Sequence, residues 1–247
     1  MEASEVEKLQ SQLEQILCPY GFELHPFLVG WYNDQVTPKF HLDHPPHTLA
    51  FTVISQPAMF EKAFLPFLSS QSRSGLHDPI DECMLHYFSK LHDKFPSIST
   101  LHDFQLSPSR RPKVLVQTAG HVSGAVRFYQ PQDYPQLGSK KHYPVCHHPV
   151  WGGWFALRGV VIFTELTADL NRVEPVSMLS ENQAVDMIKL YNECWQDWRW
   201  RDVGREVGGE VVGEKGKYSE LQIKYFETLP AERFKMIDSF LQGSCPC

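Results

Sequence analysis

The stretch HHPVWGGWFALRGVVIF, residues 147–163, sets the reading of the fold. Val160 to Phe163 is an apolar run rich in β-branched residues, as in a buried strand. Ahead of it, Gly152 and Gly153 lie between Trp151 and Trp154. Glycines at a strand entry mark a place where a ligand or a second segment comes close to the backbone. Arg158 stands just before the run, where packing alone calls for no charge. The stretch therefore reads as a core strand whose entry serves a site.

Upstream, Ser4 and Glu7 have capping-box spacing. Val6, Leu9, Leu13, Ile16 and Leu17 then recur at helical spacing until Cys18-Pro19 and Gly21. Strands are expected in FELHPFLVGWYN (22–33) and HTLAFTVIS (47–55). Pro57 suits the first turn of one helix and Asp78 the N-cap of another. Two further strands are expected in ISTLHDFQL (98–106) and KVLVQTAGHVSGAVRFYQ (113–130). Ser180 and Gln183 cap a long helix expected to reach Asp202, with shorter helices near 219–227 and 230–241. Residues 205–217, rich in glycine and charge, read as a mobile loop. Strands and helices come in groups rather than in strict alternation, which predicts an α+β fold with a mainly antiparallel sheet.

The chain has 247 residues, 42% hydrophobic and 21% charged, which fits one large globular domain without staples. A net charge of -6 argues against bulk attraction to nucleic acid or anionic membrane. Aromatic residues at 13% allow for a flat hydrophobic ligand as well as a large core. The acidic start MEASEVEKLQ has no apolar signal segment, and no run of 18 apolar residues suggests a membrane span. A cytoplasmic protein is the expectation. The six cysteines form no C-x-x-C pair, and Cys245-Pro-Cys247 reads as a frayed tail with a redox role as the alternative.

No phosphate loop, dinucleotide fingerprint or G-x-S-x-G elbow is present. His41, His44 and His47 invite a metal reading, but they lack a cysteine or acidic partner at a known ligand spacing. Cys146 and His148 are two apart on an extended segment and can share a face, as a thiol and base would. CWQDWRWRD (194–202) mixes rings with Arg199 and Arg201, as single-strand nucleic-acid binders do, yet on a helix Trp195, Trp198 and Asp202 make a packing face. Arg110, Arg111 and Lys113 read as a solvated turn.

Taken together, LCPYGFE, TLAFTVISQPAMF, RRPKVLVQTAGHVSGAV, HPVWGGWFALRGVV, WRWRD and LPAERF resemble the methylmalonic aciduria and homocystinuria type C family of cobalamin-processing proteins. The resemblance runs over roughly residues 5 to 240. It implies a single domain (1–247) with a sandwich similar to flavin-dependent nitroreductases. It implies cobalamin bound with its lower base off cobalt, the metal being held by the corrin and not by protein. Reduced flavin (FMN or FAD) would drive decyanation, and glutathione would take the alkyl group of alkylcobalamins. The implied cobalamin contacts are Asp103, Val114, Leu115, Val116, Gln117, His121, Gly124, Phe128, Tyr129, Gln130, Cys146 and Leu157. Arg158, Arg201 and Arg233 are the implied glutathione arginines, with Arg158 the catalytic one. The implied partners are a type D cobalamin-trafficking protein and methionine synthase pathway proteins, with no nucleic acid and no membrane. The family's Pro/Ser-rich C-terminal extension is missing after residues 243–247. Divergent loops at 131–145 and 205–217 would open the cobalt to oxygen, with glutathione oxidation as a consequence. A flavin reductase without cobalamin and a non-catalytic cobalamin carrier are the rival readings.

Overall fold

The computed structural model describes residues 1–70, 78–204, 206–207, 210–211 and 216–241. Helix α1 (Ala3–Leu17) leads into strand β1 (Phe22–Leu28), a short α2 (Val29–Asn33) and β2 (Thr48–Ser55). A π-helical turn (Phe60–Phe64) runs into α3 (Leu65–Ser70), followed by α4 (Pro79–Lys94) and β3 (Ile98–His102). Then come α5 (Val116–Val122), β4 (Arg127–Tyr129), β5 (Val145–His147) and the long β6 (Ala156–Thr167). Helix α6 (Glu181–Cys194), the two-residue strands β7 (Glu206–Val207) and β8 (Glu210–Val211), and helices α7 (Glu220–Glu227) and α8 (Arg233–Leu241) complete the order.

The main sheet has the order β1-β2-β6-β3, and each neighbouring pair is antiparallel. The opening stretch thus supplies a central strand. Its apolar run is continuous because both faces are covered. Val161 and Phe163 join Phe51 and Val53 under α1 and α4, while Val160 and Ile162 join Ala50 under α5. A separate β4–β5 ribbon packs with α6 through Tyr129, Val145, Val185 and Ile188. The class is α+β with an antiparallel sheet, as expected.

Five local readings are corrected. The strand expected over residues 22–33 ends at Leu28, and Val29–Asn33 form helix α2. Residues 116–122 form a helix, not a strand. Val116, Ala119 and Val122 fall on one helical face and are buried against the sheet, so packing overrides the β-branched pattern. Helix α6 stops at Cys194, because Trp198 takes a left-handed backbone (φ 64°) and residues 195–202 make two 3-10 turns. The N-terminal cap lies two residues earlier than expected, with the Glu2 N–H donating to Glu5 Oε2 at 2.8 Å. Pro57 precedes the helical segment in a turn. The caps at Asp78 and Ser180 are as expected. Much of the expected 205–217 loop and the Cys245-Pro-Cys247 tail lie outside the described residues.

Candidate functional site

Strand β6 is irregular where it begins. Val53 pairs with Gly159 and Ile54 with Leu157, so Arg158 is the extra residue of a β-bulge. A bulge re-aims a side chain that regular pairing would point elsewhere. Arg158 is buried, and its Nε donates to Ser55 Oγ at 2.9 Å. Its carbonyl accepts from the Asp103 N–H, which ties the bulge to the residue after β3.

Two cavities meet at this strand entry. The larger, about 840 Å³, is lined by Arg158, Arg201 and Arg233, which come from three separate segments. The smaller, about 420 Å³, is lined by Asp103, Val114, Leu115, Val116, Gln117, Cys146 and Leu157. They share Phe155, Ala156, Tyr191, Trp200 and Arg201 as a common wall. Leu157 and Arg158 serve different cavities, the bulge setting the direction of the Arg158 side chain.

Other residues of the expected cobalamin set lie apart. His121, Phe128 and Gln130 line a third cavity of about 230 Å³. Gly124 follows α5 with φ 74°, and Tyr129 is buried with its hydroxyl 3.2 Å from Ser177 Oγ. His121 Nε2 lies 3.9 Å from Glu174 Oε2. Burial lowers its pKa, the nearby Glu174 offsetting only part of that.

The larger cavity is cationic. Its lining holds three guanidiniums against one carboxylate, Glu227. Among the described residues none of the three has a carboxylate within ion-pair distance. Arg201 is enclosed by Trp200, Trp198, Tyr218 and Trp154, with its guanidinium carbon 4.4, 4.9, 5.1 and 5.7 Å from their centroids. Burial lowers its pKa, and the ring faces offset part of the lost hydration. Its Nη1 donates to the Gly153 carbonyl, and the Gly153 N–H donates to the Arg201 carbonyl at 2.9 Å. Gly153 thus approaches a second backbone: a Cβ there would stand 2.7 Å from Arg201 Cα. Arg233 is aimed by Nε bonds to the carbonyls of Tyr225 and Thr228, both 3.1 Å.

The loop between β5 and β6 hangs on Glu23. Glu23 accepts from Trp151 Nε1, Gln56 Nε2 and His148 Nε2. Trp154 Nε1 donates to Asp202 at 2.8 Å, so both tryptophans brace the loop and neither lines the two cavities. Glu23, His25 and His148 bring three ligand-type atoms within 4.8 Å of one another. His148 Nδ1 accepts from the N–H groups of Val150 and Trp151, so its Nε2 carries the proton and is not free to hold a metal. The same contacts remove His148 as a base for Cys146, whose thiol burial pushes up. The Cys146–His148 thiol pair is therefore not formed. His41, His44 and His47 do not converge on a metal-type cluster among the described residues. The packing-face reading of 195–202 also changes: Arg199 pairs with Asp197 at the surface, whereas Trp195, Trp198 and Trp200 line the cavity.

Burial alone would raise the Glu23 carboxyl, but hydrogen bonds from His148 and His25 outweigh it and hold it well below the usual carboxylate range. A depressed folded-state pKa contributes stability that is complete above roughly pH 4.3 and is lost as pH falls through the folded value. Thermal unfolding followed from neutral pH into acid should therefore show a steeper loss for the wild type than for Glu23→Gln. Parallel curves would mean that the contact adds nothing to folding.

Sequence reading did not single out Ser55, Gly159, Tyr191 or Tyr218. The cluster of rings between 191 and 200 was the available signal.

A family model for methylmalonic aciduria and homocystinuria type C matches residues 21–237. A protein of Gallus gallus named cyanocobalamin reductase / alkylcobalamin dealkylase is 42% identical, covering 94% of this chain and 96% of the relative. The Homo sapiens protein of the same name is 40% identical, covering 94% and 82%. The crystal structure of a B12-trafficking protein from C. elegans superposes with a TM-score of 0.82 at 28% identity, covering 96% of this chain and 97% of that one.

Proposed function

Because this chain belongs to the methylmalonic aciduria and homocystinuria type C family, we propose that it processes cobalamin by reductive decyanation and by dealkylation. The observation that carries the reading is the pair of joined cavities, one with an aliphatic wall and a buried acceptor and one cationic.

The smaller cavity suits one face of a corrin. Val114, Leu115, Val116 and Leu157 offer an apolar surface to the ring. Among the described residues Asp103 Oδ1 is buried without a hydrogen-bond partner, and the amide N–H groups around a corrin are donors that would satisfy it. Burial raises the Asp103 pKa, with Arg158 countering part of the effect. His121 lies in a different cavity, so the lower base of cobalamin is released without a histidine replacing it. His121→Ala is expected to keep bound cobalamin base-off, with less than about a threefold loss of affinity (under 1 kcal/mol). A change in the visible spectrum of bound cob(II)alamin would instead make this histidine a cobalt ligand.

The larger cavity suits glutathione. Its two carboxylates match guanidinium forks, which bind carboxylates through paired hydrogen bonds. The positive charge of Arg158, Arg201 and Arg233, which form no ion pair with a carboxylate among the described residues, also favours thiolate over thiol. Arg201 and Arg233 would hold the tripeptide, and Arg158, at the bulge beside Leu157, would aim its sulfur toward the corrin. The thiolate attacks the alkyl carbon and forms the S–C bond. The electron pair of the cobalt–carbon bond stays on cobalt, which leaves as cobalt(I). In decyanation, reduced flavin would supply the electrons to cobalt(III), and cyanide would depart with its bonding pair.

The helix-covered antiparallel sheet supports kinship with the flavin-dependent nitroreductase sandwich. No helix among the described residues is long and apolar enough to cross a membrane, which fits a cytoplasmic setting. The product would pass to a type D trafficking protein and on to the methionine synthase pathway. Oxygen uptake with glutathione and cobalamin would reveal the side reaction of an open cobalt. Addition of the protein to cyanocobalamin should move the visible spectrum toward the base-off form; an unchanged spectrum would favour a flavin reductase without cobalamin. Binding without turnover by either glutathione or reduced flavin would favour a carrier.

A further inference from the structure

Reduction and dealkylation need different co-substrates. Reduction needs an electron donor, and dealkylation needs an acceptor for the alkyl group. Both must reach the same cobalt. The arginine cavity shares five lining residues with the corrin cavity, and at about 840 Å³ it is the size of one small-ligand site.

Its chemistry exceeds what glutathione uses. The tripeptide explains the arginines, but it has no ring to explain the aromatic lining. Trp195 is 63% exposed at this cavity, and Leu229 is 67% exposed there too. The backbone of Trp195 is held, its carbonyl accepting from Trp200 Nε1 at 3.3 Å, while its ring makes no aromatic contact among the described residues. A large exposed ring beside arginines is the recognition chemistry of a flat, anionic aromatic molecule.

We propose that the arginine cavity is one docking site for both co-substrates, a planar anionic electron donor of the flavin mononucleotide class and the anionic thiol, which therefore exclude each other. This rests on the glutathione reading of the same cavity. Trp195 stacks the donor's ring system, and Arg201 and Arg233 take its phosphate in place of the thiol's carboxylates. Each dihydroflavin oxidised reduces two cyano-cobalt(III) centres to cobalt(II) and releases two cyanides and two protons.

The test uses S-methylglutathione, which keeps both carboxylates but has no free thiol. It should compete with glutathione in anaerobic dealkylation of methylcobalamin. It should also compete with photoreduced FMN in anaerobic decyanation, raising the apparent KM for FMN with kcat unchanged. Competition against glutathione alone, or non-competitive inhibition against FMN, overturns the shared site and leaves the glutathione reading standing. No inhibition of either reaction overturns both. Independently, Trp195→Ala should raise the KM for reduced FMN about tenfold, as expected for losing one stacked ring, and the KM for glutathione by less than about twofold. Equal changes in the two KM values would contradict the proposal.

Discussion

Arg158→Gln is expected to slow glutathione-dependent dealkylation of methylcobalamin by about a hundredfold, because misplacing a reactant by about 1 Å costs that much. Flavin-driven decyanation of cyanocobalamin should fall by less than about threefold, a change of under 1 kcal/mol in the barrier. The asymmetry comes from what each reaction asks of geometry. Displacement at carbon needs the sulfur in line with the cobalt–carbon bond, and Arg158 is the guanidinium that the β6 bulge delivers beside the common wall. Electron transfer needs proximity without alignment. Glutamine keeps a hydrogen-bonding group near Ser55 but loses the charge and the planar fork. Anaerobic stopped-flow spectra of the two reactions measure both arms. Equal losses would point to a damaged cobalamin cavity.

Gly159→Ala is expected to destabilise the protein by about 3–4 kcal/mol, in the range of strained-backbone and overpacking changes. The residue has φ 148°, and a Cβ there would stand 2.2 Å from the Leu101 carbonyl oxygen. That oxygen belongs to β3, which pairs with β6 at His102 and Gly159. It cannot move without breaking the sheet edge. For a chain of this size the shift in Tm is about 10 °C, measurable by circular dichroism. Dealkylation should suffer as well, because the bulge carries Arg158. An unchanged Tm would mean that the β3–β6 contact yields easily and does not hold the bulge.

The central strand, its covered faces and the antiparallel class were legible because burial writes itself into residues 159–163 and 48–55 as apolar, β-branched runs. The three site arginines were legible only through the resemblance. Nothing in their spacing, 158, 201 and 233, tells that a bulge and two helix-flanking turns bring them to one cavity. The helix at 116–122 was misread because Val114, Val116 and Thr118 alternate like a strand, and only packing on the sheet decides between the two periods. Gly152 and Gly153 announced a close approach correctly but not its object. The close neighbour of Gly153 is the backbone of Arg201, so this glycine seats an arginine as well as lining the smaller cavity. Trp195 was assigned to a packing face because α6 was expected to continue, and the left-handed turn at Trp198 has no signature in the sequence.

Cobalamin processing by this protein is read out most directly by an anaerobic titration with methylcobalamin, followed by glutathione, with visible spectra throughout. The expected course is a base-off spectrum on binding, then conversion to cob(I)alamin with one S-methylglutathione formed per methylcobalamin consumed. A base-off complex that glutathione leaves unchanged, or a spectrum that never departs from free methylcobalamin, would contradict it.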